Sequence, residues 1–434
     1  MGARVNAVPA RTSPARANLR LARFSRSREG RNPRNGFREA LYVINALIFR
    51  AFRRTPVNSF KWLASAILLG VLAAGCGQKA EEGSTIRIGS VSPLTGPQTH
   101  IGKDNENGAR LAVDEINAQG LVLGGKPVKL ELIGEDDQAE PKTATIVADK
   151  LLDAGVVAVI GHLNSGTTIP ASKRYHDAGI PQISPSATAV AYTAQGFRNA
   201  FRVMANDAQQ GKALGQFAVG KLGARKVAII DDRTAYGQGL ADEFEKAARE
   251  AGAEVVAREF TNDKATDFSA ILTSIKGKSA DLVFYGGMDP QGGPMAQQMK
   301  RLGLNARLLG GDGLQNANFL KLAGADGEGV VASSPGLPLE GMPGGSAFKA
   351  KFEAKYGPIQ LYAPYAYDAV YILVEAMKRA DSAEPAKVVA ALPQTDYQGV
   401  TGPLKFDEKG DTVGGAVTMY EVKNGAWTVL ETVK

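Results

Sequence analysis

Cysteine and histidine are scarce in this 434-residue chain, which holds one cysteine and three histidines. The single cysteine, Cys76, excludes a disulfide within the chain and any site built from several thiolates. The histidines, His100, His162 and His176, are not spaced as metal ligands. The sequence therefore predicts neither a metal site nor a cofactor.

Basic charge is also scarce in the part of the chain where a nucleic-acid-binding domain would need it. The formal net charge is +7, but residues 1–57 hold 13 of the 51 basic residues and 2 of the 44 acidic ones. The rest of the chain therefore carries 38 basic and 42 acidic residues. Nucleic-acid binding requires basic residues clustered on a folded domain, so we expect no nucleic-acid partner.

The apolar run at residues 62–74 is too short to cross a bilayer as a helix, but it fits the apolar region of an export signal. It leads into L-A-A-G-C at residues 72–76, which resembles the lipobox of bacterial lipoproteins. The resemblance implies export, with Cys76 lipidated as the mature N-terminus. We therefore expect a lipid-anchored protein on the periplasmic or outer side of a bacterial membrane.

Three N-terminal segments follow from this interpretation. Residues 1–57 are expected to be a basic extension that is disordered or not translated, because an export signal needs only a few charged residues before its apolar run. A start at Val57 would leave V-N-S-F-K before that run. Residues 58–76 are then the lipoprotein signal peptide, and residues 77–84 are a flexible tether.

From residue 85 onward, apolar strands alternate with amphipathic helices in two sets. The predicted strands lie at residues 86–91, 128–133, 156–160 and 180–183, then at 227–230, 254–258, 281–285 and 307–309. The predicted helices lie at residues 107–117, 141–154 and 167–178, then at 240–251, 268–275 and 294–302. Such alternation is typical of parallel sheets covered by helices, so the fold class is α/β.

The pattern changes after residue 330. Helices are predicted at residues 346–355, 364–379 and 385–391, followed by strands at 416–422 and 426–432. The two strands flank Asn424-Gly425, a two-residue hairpin signal. We expect two doubly wound α/β lobes, the first formed by residues 85–206 and 335–411, the second by residues 207–334 and 412–434.

Hydroxyl side chains follow two neighbouring strands of the first set. Ser165 and Thr167 follow one strand, and Ser186 and Thr188 follow the next. Ligands bind outside the carboxyl ends of parallel strands, so these side chains should converge on one crevice. A helix that begins near Ser165 would turn unpaired N–H groups toward an anion there, with no lysine or arginine competing. We expect a ligand carboxylate, although Ser165 as a simple cap and Thr188 as a simple turn residue are the alternative.

Five stretches resemble the substrate-binding proteins of branched-chain amino acid ABC transporters. They are V-S-P-L-T-G-P at residues 91–97, G-A-R-L-A-V-D-E-I-N at 108–117, V-I-G-H-L at 159–163, Y-G-Q-G-L-A at 236–241 and G-P-L-K-F-D-E-K-G-D at 402–411. The resemblance implies the type I periplasmic binding protein fold, with two lobes joined by a three-segment hinge. It also implies that the chain binds an amino acid and delivers it to an ABC permease and ATPase complex.

The same resemblance assigns ligand-binding residues. It places carboxylate contacts at Ser165, Ser186 and Thr188, and the acidic partner of the ligand ammonium at Asp312. The remaining ligand-binding set is Leu163, Asn164, Ala187, Tyr236, Tyr362, Ile101 and Met288. The last two stand where well-matched members have tyrosines, so an apolar side chain bound with relaxed selectivity is expected.

Two other functions compete with this one. An enzyme is not expected, because Leu163 stands where a G-x-S-x-G nucleophile motif would need its first glycine. The G-x-G at residues 237–239 has Asp242 in place of the third glycine of a dinucleotide-binding fingerprint. The alternative that stays open is a protein of the same fold that binds or senses an amide, urea or another small molecule. Asp312 itself lies in G-G-D-G, which is also an ordinary turn signal.

Overall fold

Residues 84–433 are described by the computed structural model, in which strands and helices alternate along most of the chain. The predictions for residues 1–83, including the basic extension, the signal peptide, the lipidation of Cys76 and the tether, lie outside the described residues. None of the described helices is long and apolar enough to cross a membrane.

The first sheet has six strands and is parallel except at one edge, where β2 (Leu121–Leu123) runs antiparallel to β3 (Lys126–Asp136). In spatial order the strands are β2 (Leu121–Leu123), β3 (Lys126–Asp136), β1 (Ser84–Ser92), β4 (Ala158–Gly161), β5 (Gln182–Ser184) and β6 (Ala200–Arg202). Every residue of β4 and β5 is buried. This is expected for parallel strands with helices on both faces of the sheet.

Four helices belong to this part of the chain: α1 (Thr99–Gln119), α2 (Pro141–Asp153), α3 (Ser165–Asp177) and α4 (Ala191–Ala194). Pro141 lies in the first turn of α2. The lack of an N–H costs no helical hydrogen bond there, because the N–H groups of the first turn have no partner within a helix. Gly179, beyond the end of α3, has a φ of 70°, which lets the chain turn back toward β5. The predicted position of this glycine past the helix end is confirmed.

The second sheet has seven strands, in the order β15 (Ala426–Val433), β14 (Val417–Lys423), β11 (Val331–Pro335), β10 (Arg307–Gly310), β9 (Leu282–Gly286), β7 (Lys226–Asp231) and β8 (Glu254–Phe260). Strands β7 to β11 are parallel, and β14 is antiparallel to both β11 and β15. The predicted hairpin is confirmed, since Asn424 and Gly425 form its turn with φ values of 54° and 72°.

The helices of the second part are α5 (Asp207–Gly220), α6 (Ala235–Glu250), α7 (Ser269–Gly277), α8 (Asp289–Arg301) and α9 (Ala317–Ala323). The sequence pattern did not predict α5, because this helix is buried on most sides and lacks a single apolar face. Gly211 and Gly215 let α5 approach α6 closely, since a Cβ atom at either position would lie 2.6 Å or less from α6 atoms. This close contact fixes the position of α5 against α6, the helix that carries Tyr236.

The C-terminal helices return to the first sheet. They are α10 (Gly345–Tyr356), α11 (Ala363–Ala380) and α12 (Pro385–Ala391), followed by the two-stranded β12 (Tyr397–Gln398) and β13 (Pro403–Leu404). Helix α11 packs against α1, β4 and β5. At Gly108 of α1 a Cβ atom would lie 2.2 Å from the carbonyl oxygen of Ala363, so only glycine permits this approach. The chain therefore crosses between the sheets three times: after β6, after β11 and after β13.

The largest apolar cluster contains side chains from both parts of the fold, including Ile88, Leu163, Tyr236 and Tyr362. A second cluster lies between the second sheet and helices α7 and α8. A third packs α2 and α3 on the other face of the first sheet. The first cluster makes packing continuous across the boundary between the two sheets.

Helix α1 begins at Thr99, eight residues before its predicted start. The extra turns hold Asp104 and Asn105, which are buried although they are polar. A prediction from apolar periodicity misses such a segment, because its buried face carries polar side chains beside Ile101 and not a continuous apolar stripe.

Candidate ligand site between the two sheets

The site lies where the carboxyl ends of five parallel strands meet. Residues after β4 and β5 approach it from the first sheet, and residues after β7, β9 and β10 approach it from the second. A crevice outside the carboxyl ends of parallel strands is the usual ligand position in α/β folds. The eight residues that line it are Leu163, Asn164, Ser165, Ser186, Tyr236, Met288, Asp312 and Tyr362.

The N-terminus of α3 forms one wall of the site. Ser165 is the first helical residue and Asn164 is the N-cap, so the prediction of Ser165 near the cap is correct to one residue. The side chain of Asn164 does not cap the helix and instead donates to Gln98 Oε1 at 2.7 Å. The Thr167 N–H already donates to the carbonyl oxygen of Asn164 at 3.1 Å, so the first-turn N–H groups left without a helical acceptor are those of Ser165 and Gly166. The positive end of the helix dipole faces the crevice.

The two hydroxyl-bearing loops contact each other. Ser186 Oγ donates to the carbonyl oxygen of Leu163 at 3.0 Å, and the N–H of Ala189 donates to Ser165 Oγ at 3.1 Å. Since Ser165 Oγ accepts in that bond, its own proton is free to donate to a ligand. Thr188 Oγ1 is buried and has no hydrogen-bond partner among residues 84–433. Ser165 and Thr188 therefore each hold a hydroxyl proton without an acceptor among the described residues, and of the two Ser165 lines the cavity.

Four residues predicted at or near the site do not line the cavity directly. Thr167 Oγ1 donates to the carbonyl oxygen of Asn164 at 3.0 Å, so it serves the first helical turn. Ala187 and Thr188 follow Ser186 in the same loop and are buried, but they are not among the lining residues. Ile101 is 1% exposed and packs in the apolar cluster that also contains Leu163 and Met288.

Asp312 forms the opposite wall, at the start of a 3₁₀ turn (Asp312–Leu314) after β10. Its Oδ1 accepts from Tyr236 Oη at 2.8 Å and from Gln210 Nε2 at 3.0 Å, and its Oδ2 accepts from Tyr362 Oη at 2.7 Å. Burial raises the pKa of Asp312, and the hydrogen bonds from Tyr362, Tyr236 and Gln210 act in the opposite direction. The carboxyl group is 1% exposed and surrounded by donors.

Two residues that sequence reasoning missed hold this wall in place. Gln210 Oε1 accepts from Ser333 Oγ at 2.6 Å and from the N–H of Asp312 at 3.1 Å, while its amide nitrogen donates to Asp312. Asp104 accepts the backbone N–H groups of residues 360–363 at 2.8 to 3.0 Å, which fixes the segment that carries Tyr362. Burial raises the pKa of Asp104, and the four N–H donors oppose that shift.

Arg202 was also missed, and it supports the loop that carries Ser186. Its guanidinium is fully buried and donates to the carbonyl oxygens of Ala187 and Ala189 at 2.9 Å each. It also donates through Nε and Nη2 to Asp411 Oδ1 at 2.9 and 2.6 Å. Arg202 therefore lies behind the loop and not in the cavity, so no basic side chain is among the eight lining residues.

His162 precedes the site but is fully engaged in a buried network. Its Nδ1 lies 2.8 Å from Asp137 Oδ2, and its Nε2 lies 3.0 Å from Tyr175 Oη. With both ring nitrogens occupied, His162 is not placed to act as a base for Ser165.

Within residues 84–433, no group of histidine, cysteine and acidic side chains is arranged to hold a metal ion.

The free space between the two walls is about 10 Å³, which is roughly the room that one water molecule needs. The tyrosine hydroxyls of the two sides meet at Asp312, so an amino acid enters only when the walls separate. One wall offers hydroxyl and N–H donors, and the other offers a carboxylate. The apolar side chains of Leu163 and Met288 lie beside them. This arrangement complements a zwitterion with an apolar side chain.

A larger cavity of about 410 Å³ lies between α1, α9 and α10. It contains neither the hydroxyl residues nor Asp312. Asp104 borders it, but that carboxylate already accepts four N–H bonds. The smaller cavity therefore carries the chemistry that an amino acid requires.

The sequence was compared with known protein families and matches one of them. The family described as periplasmic binding protein matches residues 85–426. A protein of Brucella abortus, Leu/Ile/Val-binding protein homolog 1, is 36% identical over 367 residues, which cover 84% of this chain and 97% of that protein. The leucine-, isoleucine-, valine-, threonine- and alanine-binding protein of Pseudomonas aeruginosa is 34% identical over 358 residues, covering 82% of this chain and 95% of that one.

A solved structure agrees with these sequence relatives. The branched-chain amino acid transporter substrate binding protein of Streptococcus pneumoniae, in complex with isoleucine, is 32% identical and superimposes with a TM-score of 0.73. The match covers 81% of this chain and 99% of that protein. The family and these relatives are binding proteins and not enzymes.

Proposed function

Because this chain belongs to the periplasmic binding protein family, we propose that it is the extracytoplasmic substrate-binding component of an ABC importer for an amino acid with an apolar side chain. The observation that carries this proposal is the buried Asp312, which faces the N-terminus of α3 across the crevice. A counter-charge for an ammonium and a donor set for a carboxylate stand on opposite walls of one site.

Energetics favour a zwitterion at this site. Closing two walls over an amino acid removes both of its charges from water, which costs several kcal/mol per ion unless each charge is hydrogen-bonded. Hydrogen bonds to charged groups contribute roughly 1.5 to 3 kcal/mol each, so Ser165, Thr188 and the helix N–H groups can offset the cost for the carboxylate. Asp312 offsets the cost for the ammonium.

The residues between the two walls favour an apolar side chain. Leu163 and Met288 line the cavity, and Ile101 packs in the same apolar cluster. All three are at most 5% exposed and have no strong hydrogen-bonding group on the side chain. Methionine adapts its shape easily, because it is unbranched and has three rotatable bonds. We infer that leucine, isoleucine and valine all bind, with limited discrimination among them.

Ligand entry requires two lobes that open. We assign residues 85–206 and 335–411 to the first lobe, and residues 207–334 and 412–434 to the second. The three crossings between the sheets support this division. If it holds, small-angle scattering of the protein with and without leucine should show a smaller radius of gyration in the presence of the ligand.

Residue Cys76 is the proposed lipid attachment site, on the strength of the L-A-A-G-C stretch at residues 72–76. The Cys76→Ser variant should leave the membrane fraction, and the wild-type mature N-terminus should carry acyl chains by intact mass. A wild-type mature chain that keeps residues before Cys76, or a soluble one, would contradict this assignment.

The ligand proposal is tested by a thermal-shift screen of the twenty amino acids and several short amides. A ligand present at 100 times its Kd stabilises the folded state by about 2.7 kcal/mol, so leucine, isoleucine or valine should raise the Tm clearly. Stabilisation by amides alone, with no response to any amino acid, would favour the alternative of an amide-binding protein.

A further inference from the structure

Asp207 is a buried carboxyl group that the proposed function leaves unexplained. It is the buried first residue of α5 and lies on the crossing between the two sheets, near enough to Asp312 for the charge of that carboxylate to act on it. Its backbone N–H donates to the carbonyl oxygen of Thr188 at 2.8 Å. Neither of its carboxyl oxygens has a hydrogen-bond partner among the described residues.

The surroundings of Asp207 disfavour a negative charge. Its Oδ2 lies against α6, since a Cβ atom at Gly239 would be 3.5 Å away. The titratable or charged groups that act on it are Asp312, Glu243, Arg202, Tyr236 and Tyr362. Arg202 is the cation among them, and it already pairs with Asp411. Burial and then the negative charge of Asp312 raise the pKa of Asp207 to about 8.

Thr188 is the natural partner of this carboxyl group. The Thr188 hydroxyl lies close enough to the Asp207 carboxyl group to favour its ionised form. The hydroxyl and the carboxyl oxygens nevertheless do not form a hydrogen bond in this structure. Thr188 Oγ1 is itself buried without a partner among residues 84–433. Two polar groups that are buried side by side and both unsatisfied gain most by bonding to each other.

The direction of that bond decides what Thr188 offers a ligand. An ionised Asp207 only accepts, so it would draw the hydroxyl proton of Thr188 away from the site. It would also add a negative charge beside Asp312 and the ligand carboxylate. A protonated Asp207 donates to Thr188 Oγ1, and the hydroxyl proton of Thr188 is then free to point elsewhere.

We propose that Asp207 acts as a neutral carboxylic acid that donates to Thr188 Oγ1 and thereby turns the Thr188 hydroxyl proton toward the carboxylate of a bound amino acid. Asp207 is thus a positioning residue that touches no ligand atom. The proposal rests on the proposed function, because it requires a ligand carboxylate at Thr188.

The proposal couples ligand binding to protonation. Separation of the two sheets would expose Asp207 to water and return its pKa toward the ordinary value of about 4. Closure then requires uptake of a proton at every pH between about 4 and about 8. In that window the affinity falls by up to about tenfold per pH unit as the pH rises, and above about 8 it becomes constant.

Calorimetric titration of the purified protein with L-leucine tests this coupling. Measurements near pH 6 in two buffers of different ionisation enthalpy give the number of protons taken up per ligand. Wild type should take up close to one proton, and Asp207→Asn should take up almost none, because its amide is neutral at every pH. The affinity of Asp207→Asn should also be independent of pH between about 5 and 8.

Two further variants separate positioning from a structural role. Asp207→Ala should bind leucine at least about tenfold more weakly near pH 6, and Asp207→Asn should restore most of that loss, because the amide still donates to Thr188 Oγ1. Asp368→Asn is the matched control. It removes another buried acid of raised pKa that does not border the cavity, and it should retain the proton uptake of wild type.

Equal proton uptake by wild type and Asp207→Asn would overturn the proposal, and so would failure of Asp207→Asn to bind better than Asp207→Ala. Failure of the proposed function would give a different result, which is visible without any variant: the wild-type protein would bind neither leucine nor any other amino acid. That result would remove the basis of the Asp207 proposal as well.

Discussion

Asp104 Oδ2 accepts the backbone N–H of Tyr362 at 2.8 Å, and the hydroxyl of the same tyrosine donates to Asp312 at 2.7 Å. A residue of α1, which covers the first sheet, therefore positions a side chain that reaches the acidic group of the second. This relationship makes the polar start of α1 part of the ligand site, although Asp104 itself does not line the cavity.

Replacing Asp104 should destabilise the protein and weaken ligand binding together. In Asp104→Asn the amide oxygen accepts fewer of the four N–H donors at residues 360–363, and buried donors left unpaired cost about 1 to 3 kcal/mol each. We expect the free energy of unfolding to fall by roughly 3 kcal/mol in urea denaturation. Leucine binding should weaken as well, because Tyr362 loses its support.

Asp114→Asn is the matched control for this prediction. Asp114 lies on the same helix, but its side chain is half exposed and pairs with Lys355 at the surface. Exposed ion pairs contribute about 0 to 1 kcal/mol, so this variant should stay close to wild type. Equal losses in the two variants would contradict the role given to Asp104.

Removing the charge of Asp312 should discriminate between ligand classes. Asp312→Asn should cost about 2 to 5 kcal/mol in leucine binding, as when one partner of a buried charge pair is removed. A short neutral amide should lose far less. Calorimetry with both ligands measures the difference, and Asp242→Asn on the exposed side of α6 controls for the change in net charge. Unchanged leucine affinity in Asp312→Asn would refute the ammonium role.

The parts of the fold that local pattern determines could be predicted. Runs of buried strand residues such as those of β4, the glycine after α3 and the Asn424-Gly425 hairpin all follow from neighbours in sequence. Hydroxyl residues after β4 and β5 indicated the crevice, because the carboxyl ends of adjacent parallel strands must meet.

The support of the site could not be predicted in this way, because its partners lie far apart in the chain. Arg202 and Asp411 are 209 residues apart, and Asp104 lies more than 250 residues before the N–H groups it binds. Strands β6 and β11 were missed as well, although strands of similar length such as β5 were predicted. Tertiary contacts, and not local periodicity, decide these features.

The stability of the folded protein should depend on Asp368 between pH 4 and 6. Burial raises the pKa of Asp368 to about 6, although the hydrogen bonds from Thr401 and Val400 act to lower it. The folded state then holds a proton that the unfolded state releases above pH about 4, so stability falls as the pH rises through this window. The loss is limited to about 3 kcal/mol, since each pKa unit corresponds to about 1.4 kcal/mol.

Asp368→Asn isolates this contribution. The variant loses hydrogen bonds from residues 400 and 401 at every pH, which lowers its unfolding free energy by a constant amount. Its side chain at position 368 cannot titrate. The difference in unfolding free energy between wild type and variant should therefore shrink as the pH rises from about 4 to about 6, and then remain constant. A difference that does not change across this window would contradict the raised pKa.

Arg202 should contribute to stability and binding through the loop of residues 186–189. In Arg202→Met, Asp411 loses its charged partner while it remains largely buried, and breaking a buried ion pair costs about 3 to 5 kcal/mol. The double variant Arg202→Met/Asp411→Asn removes both charges, so it should recover part of that stability in thermal or urea unfolding. Its leucine affinity should nevertheless stay below that of wild type, because the carbonyl oxygens of Ala187 and Ala189 still lack the guanidinium that holds the loop. Full recovery of affinity in the double variant would show that Arg202 acts on Asp411 alone and does not position the loop.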